Sequence, residues 1–320
     1  MKFAMRAILI FALAIVVAVP AQAEDDITDP CSLNIFSEAY QSCPRPNVSD
    51  PSIAITGGSI KFDAGREGER VFDGRPAMED NGVVYIYASG ATPGGSFAAS
   101  VCTGALIAPT WVLTAAHCLF LSDKGDATVA PVTSGYITFG KLTEGGWPRR
   151  QIVKGFHHRN YGFSAGRYAN DIALIELDQA VTDVTPMTLL RRSDGSMRTQ
   201  ADGTIVRTYG FGRISAVADS AILLTGELRK GPNMPGYETV FATPTVGASS
   251  STSTICPGDS GGPTTRKFVD GTRLVGINSF INNIKFGDVF CGKEGNFSAM
   301  VDVSQFLDFI GRKTGIRIID

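Results

Sequence analysis

Eight consecutive residues, Cys256-Pro257-Gly258-Asp259-Ser260-Gly261-Gly262-Pro263, put a hydroxyl, a neighbouring carboxylate and three glycines into one short turn. A serine hydroxyl becomes a nucleophile only when a base takes its proton, and the oxyanion that then forms on an acyl substrate needs N–H donors aimed at it. Gly258 and Ser260 can offer their backbone N–H groups for that purpose. A Gly-Asp-Ser-Gly string alone also fits an ordinary turn, so a base must be found elsewhere in the chain. The histidines are His117, His157 and His158. Any one of them, taken singly, reads most simply as a hydrogen-bonded core residue. His117, however, follows an apolar run in Leu113-Thr114-Ala115-Ala116-His117-Cys118. That placement suits a rigidly held base that accepts a proton from Ser260 near neutral pH and returns it to a leaving amine. Asp171 stands at the mouth of the apolar run Asn170-Asp171-Ile172-Ala173-Leu174-Ile175. Burying an unpaired charge is costly, and His117 is the obvious partner.

The elements that must position these groups read as short strands. Apolar runs at Val83 to Ala88, Cys102 to Ile107, Tyr136 to Phe139, Ile172 to Leu177, Ile205 to Tyr209 and Leu274 to Ser279 alternate with turn clusters, the pattern of a sandwich or barrel. Val301, Val303, Phe306, Leu307 and Ile310 recur near the helical period and predict one C-terminal helix over about 302–312. With 320 residues, 43% hydrophobic, 36 glycines and 19% charged, the chain can bury one large or two medium cores. A formal net charge of −2 with scattered Lys and Arg shows no stripe for nucleic acid or an anionic membrane, and neither partner is expected.

Lys2 and Arg6 precede an apolar run from Ala7 to Val19, then Pro20 and Ala21-Gln22-Ala23, the pattern of a secretory signal peptide over residues 1–23. The run is shorter than the roughly 20 residues that span a bilayer. Export, extracellular or periplasmic, permits disulfides, and the cysteines form an even set at 31, 43, 102, 118, 256 and 291. Residues 24–70 are rich in Pro, Asp, Ser and Gly without hydrophobic period, and read as a propeptide or a small stapled segment.

Together, the His117, Asp171 and Ser260 motifs, in that chain order, resemble the chymotrypsin-like (trypsin family) serine peptidases over about Val71 to Arg312. The resemblance implies an all-β fold: two packed six-stranded antiparallel β-barrels, about 71–185 and 186–305, and the C-terminal helix. It implies a catalytic triad of His117, Asp171 and Ser260, and an oxyanion hole from the N–H groups of Gly258 and Ser260. Gly276-Ile277-Asn278-Ser279-Phe280 is similar to the strand that pairs with substrate, where Ser279 would bond Asp171, and Gly210-Phe211-Gly212 to a family turn. It further implies Cys102 with Cys118 and Cys256 with Cys291, leaving Cys31 with Cys43 for the front segment.

The family's precursors are activated by a cut that frees a small apolar N-terminus, which pairs with the aspartate before the nucleophile. Arg70-Val71-Phe72-Asp73-Gly74 fits, so Arg70 would be the cut site and the Val71 amine would meet Asp259. Ile55-Thr56-Gly57-Gly58 matches the letters better but comes sixteen residues earlier, after Ala54. For the specificity pocket, the resemblance assigns Thr254 to the base, where trypsin carries an acid, with Ser279, Phe280, Ile281 and Gly295 around it. Uncharged Thr254 and branched Ile281 predict small or medium apolar residues before the cut bond, not Arg or Lys. The expected partners are protein or peptide substrate, an activating protease (another enzyme or itself) and protein inhibitors; the protein is expected to be a monomer without cofactor or metal. Asp123 and Asp126 read as solvated loop residues, and Asn47 and Asn296 carry glycosylation sequons. The alternatives are a non-catalytic binding homologue of the same fold, and a secreted esterase. The latter predicts a histidine last in the chain, whereas His117 comes first.

Overall fold

The computed structural model describes residues 34–36, 75–77, 82–122, 129–139, 149–164, 167–212, 223–244, 254–281 and 297–320. The signal peptide, Cys31, Cys43, Asn47, Arg70, Val71, Asp123, Asp126, Cys291, Gly295 and Asn296 lie outside the described residues.

A two-residue strand β1 (Arg75–Pro76) precedes β2 (Val83–Ala91), β3 (Phe97–Ala108) and β4 (Trp111–Thr114). After a 3₁₀ turn at Ala116–Leu119 come β5 (Phe120–Ser122), β6 (Val129–Pro131), β7 (Ser134–Phe139), β8 (Arg149–His157), β9 (Gly162–Ser164), β10 (Arg167–Ala169) and β11 (Ala173–Leu177). Strands β11-β4-β3-β2-β7-β8 close into a barrel, while β5–β6 and β9–β10 pair as separate two-stranded sheets. Alternation along β2 explains its double burial, because successive side chains leave on opposite faces. Val84, Ile86 and Ala88 fill the barrel core. Val83 and Tyr85 face outward onto Phe211 of the second half, with the Tyr85 and Phe211 rings edge to face at 5.8 Å.

The second half comprises β12 (Ile205–Gly210), β13 (Leu224–Arg229), β14 (Val240–Pro244), β15 (Pro263–Phe268), β16 (Gly271–Ile281) and β17 (Phe297–Asp302). Together with β1, its described strands form a half-barrel sheet in the order β1-β13-β12-β15-β16-β17-β14, consistent with the expected fold. The sheet curls round on itself, since the Gly231 N–H just beyond β13 donates to the Ala242 carbonyl of β14 at 2.8 Å. β1, which by sequence is counted with the first barrel, pairs with β13, Arg75 opposite Thr225 and Pro76 opposite Leu224, and so covers an edge that would otherwise be open.

The C-terminal helix starts later than its period suggests. Val301 belongs to β17, Val303–Phe306 is a 3₁₀ turn, and α1 covers Leu307–Thr314, ending at Gly315 with φ 71°. Phe306 and Phe309 close on His158 with ring centroids 5.1 and 5.4 Å away, so the end of the chain packs back against the first barrel.

Ile35, from the front segment, is fully buried in the first-barrel core. Its N–H donates to the Gly155 carbonyl at 2.9 Å, and the Gly155 N–H donates to Asn34 Oδ1 at 3.0 Å. Asn34 and Ile35 therefore contribute to the first barrel.

Candidate active site

β4 runs buried into the 3₁₀ turn that carries His117, and a disulfide from Cys118 to Cys102 of β3 ties that turn down. Asn170 adopts φ 53°, a left-handed conformation that asparagine tolerates, and its side chain donates to the Asn160 carbonyl at 2.9 Å. This turn delivers Asp171, 1% exposed, to the seam between the two halves. Its carboxylate accepts three hydrogen bonds: from the His117 backbone N–H to Oδ1 (2.9 Å), from His117 Nδ1 to Oδ2 (2.8 Å) and from Ser279 Oγ to Oδ2 (2.5 Å). With Asp171 an acceptor, the proton of a neutral His117 ring sits on Nδ1 and leaves Nε2 basic.

Ser279 owes its reach to a β-bulge. Asn278 opposes Met300 and Phe280 opposes Ala299, so Ser279 is the extra residue on β16, and a bulge of this kind re-aims a side chain.

The nucleophile-candidate loop crosses the same seam. The Thr103 N–H donates to the Ser260 carbonyl at 2.8 Å and Thr103 Oγ1 donates to the Gly258 carbonyl at 2.8 Å. Cys118 Sγ lies 3.7 Å from the Ser260 carbonyl oxygen; a disulfide sulfur carries no proton, so this is a packing contact. Gly261 has φ 77° and passes so close to Thr114, Thr103 and Ala115 that a side chain there would collide with them. Ser260 is thereby held beside the turn bearing His117. Within the loop, the N–H groups of Asp259, Gly261 and Gly262 go to Cys256, Asn278 and Asp259 carbonyls. Those of Gly258 and Ser260 have no intramolecular acceptor among the described residues. Gly258 has φ 98°, which only glycine adopts readily.

Asp259 points away from Ser260 into the core and is fully buried. Its oxygens accept the Gly212 and Cys256 N–H groups, each at 2.8 Å. Gly210 and Gly212 lack side chains because the Asp259 carboxyl occupies the space a Cβ would need. Burial pushes this carboxyl up from its ordinary 3.8 to about 7, with the Cys256 and Gly212 N–H groups pulling the other way.

Thr254 is buried, and Thr254 Oγ1 lies 2.8 Å from Ser298 Oγ, which also accepts the Ile255 N–H at 3.3 Å. Ser298 stands opposite Ile281 across β16 and β17. Sequence reasoning missed Ser298, because only strand register shows that it faces Thr254; the expected Gly295 lies outside the described residues. It missed Tyr237 too, whose ring lies 5.7 Å from that of Phe280. Cys256 is disulfide-bonded to a cysteine outside the described residues. Cys102, His117 and Cys118 place their donor atoms within 4.8 Å of one another, but both sulfurs are spent in the disulfide and offer no thiolate to a metal. His157 packs among Phe120 and Tyr161.

A closed antiparallel barrel beside a second curled sheet, with a Gly-Asp-Ser-Gly loop at their seam, is the chymotrypsin-like fold. The family model described as Trypsin matches residues 73–310, and the chain belongs to the trypsin family and carries a serine-protease domain. It is 26% identical over 287 residues to Serine protease SP24D of Anopheles gambiae, a match covering 85% of this chain and 91% of that protein.

Proposed function

We propose that the chain is a secreted serine endopeptidase that cleaves peptide bonds through an acyl-enzyme on Ser260. His117 serves as base and acid, Asp171 orients it, and the Gly258 and Ser260 N–H groups receive the oxyanion. The observation that carries this reading is the meeting at one seam of the Asp171-bound His117 turn and a loop whose free N–H groups are those of Gly258 and Ser260. Ser279 and Phe280 lie on the strand that would pair with extended substrate. A serine-directed fluorophosphonate that fails to label the wild-type chain, or still labels the Ser260→Ala chain, would overturn it. The binding homologue of the same fold predicts no labelling in either.

The Thr254–Ser298 pair gives the pocket an uncharged base, and Ile281 stands opposite Ser298. A substrate guanidinium or ammonium placed there would be buried unpaired, so cleavage after Ala or Val is expected to exceed that after Arg or Lys by on the order of a hundredfold or more. A peptide-library digest reads this directly, and predominant cleavage after basic residues would refute it.

The precursor is cut after Arg70, and the Val71 amine pairs with Asp259. In support, β1 starts four residues beyond Val71 and pairs with β13, whose Leu224 opposes Gly210 next to Asp259. Four residues span at most about 14 Å. In the uncut chain the Asp259 value lies above its unfolded one. Its stabilising contribution is therefore complete below about pH 4 and lost as pH rises to about 7, on the order of 4 kcal/mol in all. A neighbouring ammonium favours the ionised carboxylate and removes that loss. Urea midpoints of uncut Ser260→Ala protein are expected to fall between about pH 4 and 7, while those of the cut protein stay level. Parallel profiles, or a mature N-terminus other than Val71, would exclude the pairing.

A further inference from the structure

Leu119 is the fully buried end of the 3₁₀ turn that carries His117, and part of its support comes from the front segment. A Cβ placed on Gly155 of β8 would stand 3.1 Å from both Cγ1 and Cδ1 of Ile35 and 3.2 Å from Leu119 Cδ1. The side chains of Ile35 and Leu119 therefore share the space over Gly155. Gly155 also has buried main-chain groups to satisfy. The described pairing of β8 with β7 ends at Gln151, opposite Tyr136, and the Gly155 N–H and carbonyl go instead to Asn34 Oδ1 and the Ile35 N–H. Asn34 Oδ1 accepts the Phe36 N–H as well, at 3.2 Å, and Phe36 packs on the same core. Asn34–Phe36 is thus a plug, seated by polar contacts at Gly155 and by one apolar side chain beside Leu119. On its other edge β8 holds the strand that follows Asp171: Gly155 opposes Ile175, His157 opposes Ala173, and the His158 N–H donates to the Ile172 carbonyl at 3.0 Å. The plug lies where the supports of His117 and of Asp171 meet.

We propose that Asn34–Phe36 is a working part of the enzyme: Ile35 is a positioning residue that acts through Leu119 on the His117 turn, and the active form keeps this piece on the barrel whatever bonds are cut downstream of it. Taking Ile35 away leaves a void bordered by Leu119 and Gly155, and the surroundings of such a void collapse into it only in part. It also strips the buried Gly155 N–H and carbonyl of their partners, which is costly. The near end of the turn is fixed, because Cys118 is bonded to Cys102 and Asp171 accepts the His117 backbone N–H. Relaxation therefore falls on the Leu119 end, and it tilts the His117 ring relative to Asp171 and Ser260. The proposal rests on the reading of His117 as base.

The test isolates the active form without denaturant and determines by mass which pieces of the chain it contains. The peptide bearing Ile35 is expected among them, and a fully active form that lacks it would overturn the proposal. In the full chain, Ile35→Ala is expected to lower kcat for a peptide substrate by about tenfold or more with KM within about twofold, since misplacing a catalytic group by about 1 Å costs on the order of a hundredfold. Ile35→Val is expected to restore most of that rate. Leu228→Ala opens a void at a buried position of β13 in the second half and is the control for lost stability alone. With urea midpoints measured on both variants, Leu228→Ala is expected to keep kcat within about twofold of wild type. Equal losses of kcat in the two variants would mean a structural role only and would overturn the proposal, as would an Ile35→Ala protein as fast as wild type. If Ile35→Ala does not fold, Asn34→Ala, which removes the acceptor of the Gly155 and Phe36 N–H groups, takes its place and is judged in the same way. A wild-type chain that neither cleaves peptide nor takes a fluorophosphonate would instead remove the reading of His117 as base, and the proposal with it.

Discussion

Changing Ser260 to alanine is expected to lower kcat for peptide hydrolysis by on the order of a millionfold with little change in substrate binding. The hydroxyl would be the only group lost. The contacts that hold the loop run through main-chain atoms, the Ser260 carbonyl to the Thr103 N–H and the Gly261 N–H to Asn278, and alanine keeps them. The Ser260 N–H also survives, so the variant should retain a hole for developing negative charge and the residual rate that such a hole gives over water, about 10³- to 10⁴-fold. Steady-state kinetics with a peptide substrate, together with competition by the same peptide measured on both proteins, checks the two halves of the statement. A variant that keeps more than about 1% of wild-type kcat would mean that another group attacks the carbonyl. A variant that loses binding as well would mean that the loop has collapsed.

The strands were legible in the sequence because each buries one or both faces. Val83 to Ala88 and Ile172 to Leu177 are dense apolar runs, and they lie within β2 and across the start of β11. His117 and Asp171 were legible for a related reason. Each is a polar residue at the end of such a run, where a strand enters a turn and a charged group must find a partner. The structure brings them to 2.8 Å of each other, and it packs His157 and His158 against aromatic rings instead. The apolar run directly before His117 was the sequence signal of that division.

What stayed hidden depends on register and on isolated residues. Ser298 meets Thr254 because of how β17 aligns on β16, and the bulge at Ser279 offsets that alignment by one residue. Counting along the chain therefore does not reveal that Ser298 faces Thr254. Asn278 reads from the sequence as one polar letter in an apolar strand, and its amide oxygen accepts from the hydroxyls of Thr208 and Thr264, 70 and 14 residues away. Ile35 is the one buried residue among the described residues of a tract without period. One buried side chain creates no periodic signal, and the strand Arg149–His157 whose Gly155 receives it is itself mostly exposed and was not among the apolar runs read from the sequence. The short β1 is hidden likewise, since two residues carry no alternation to read.

Asp171→Asn is the second large effect expected, a fall in kcat of about 10⁴-fold near neutral pH. The Asp171 carboxylate now accepts from three donors, the His117 N–H, His117 Nδ1 and Ser279 Oγ. An asparagine has only one oxygen to offer, and its NH₂ must face one of those donors. If the oxygen stays on the backbone N–H of His117, the NH₂ faces Nδ1, and the ring is driven to carry its proton on the opposite nitrogen. That nitrogen is the one that must accept the Ser260 proton, so the base is blocked without any loss of shape. The positive charge that develops on His117 also loses its counter-ion in a site where Asp171 is 1% exposed, and poor screening makes that loss larger than it would be at a surface. Alkaline conditions should recover part of the rate through direct attack by hydroxide or by ionised serine, whereas the wild-type protein gains nothing by that route. A pH–rate profile of the two proteins distinguishes this from simple misfolding, which would depress the variant equally at every pH. A variant within about tenfold of wild type at neutral pH would show that Asp171 does not set the tautomer of His117.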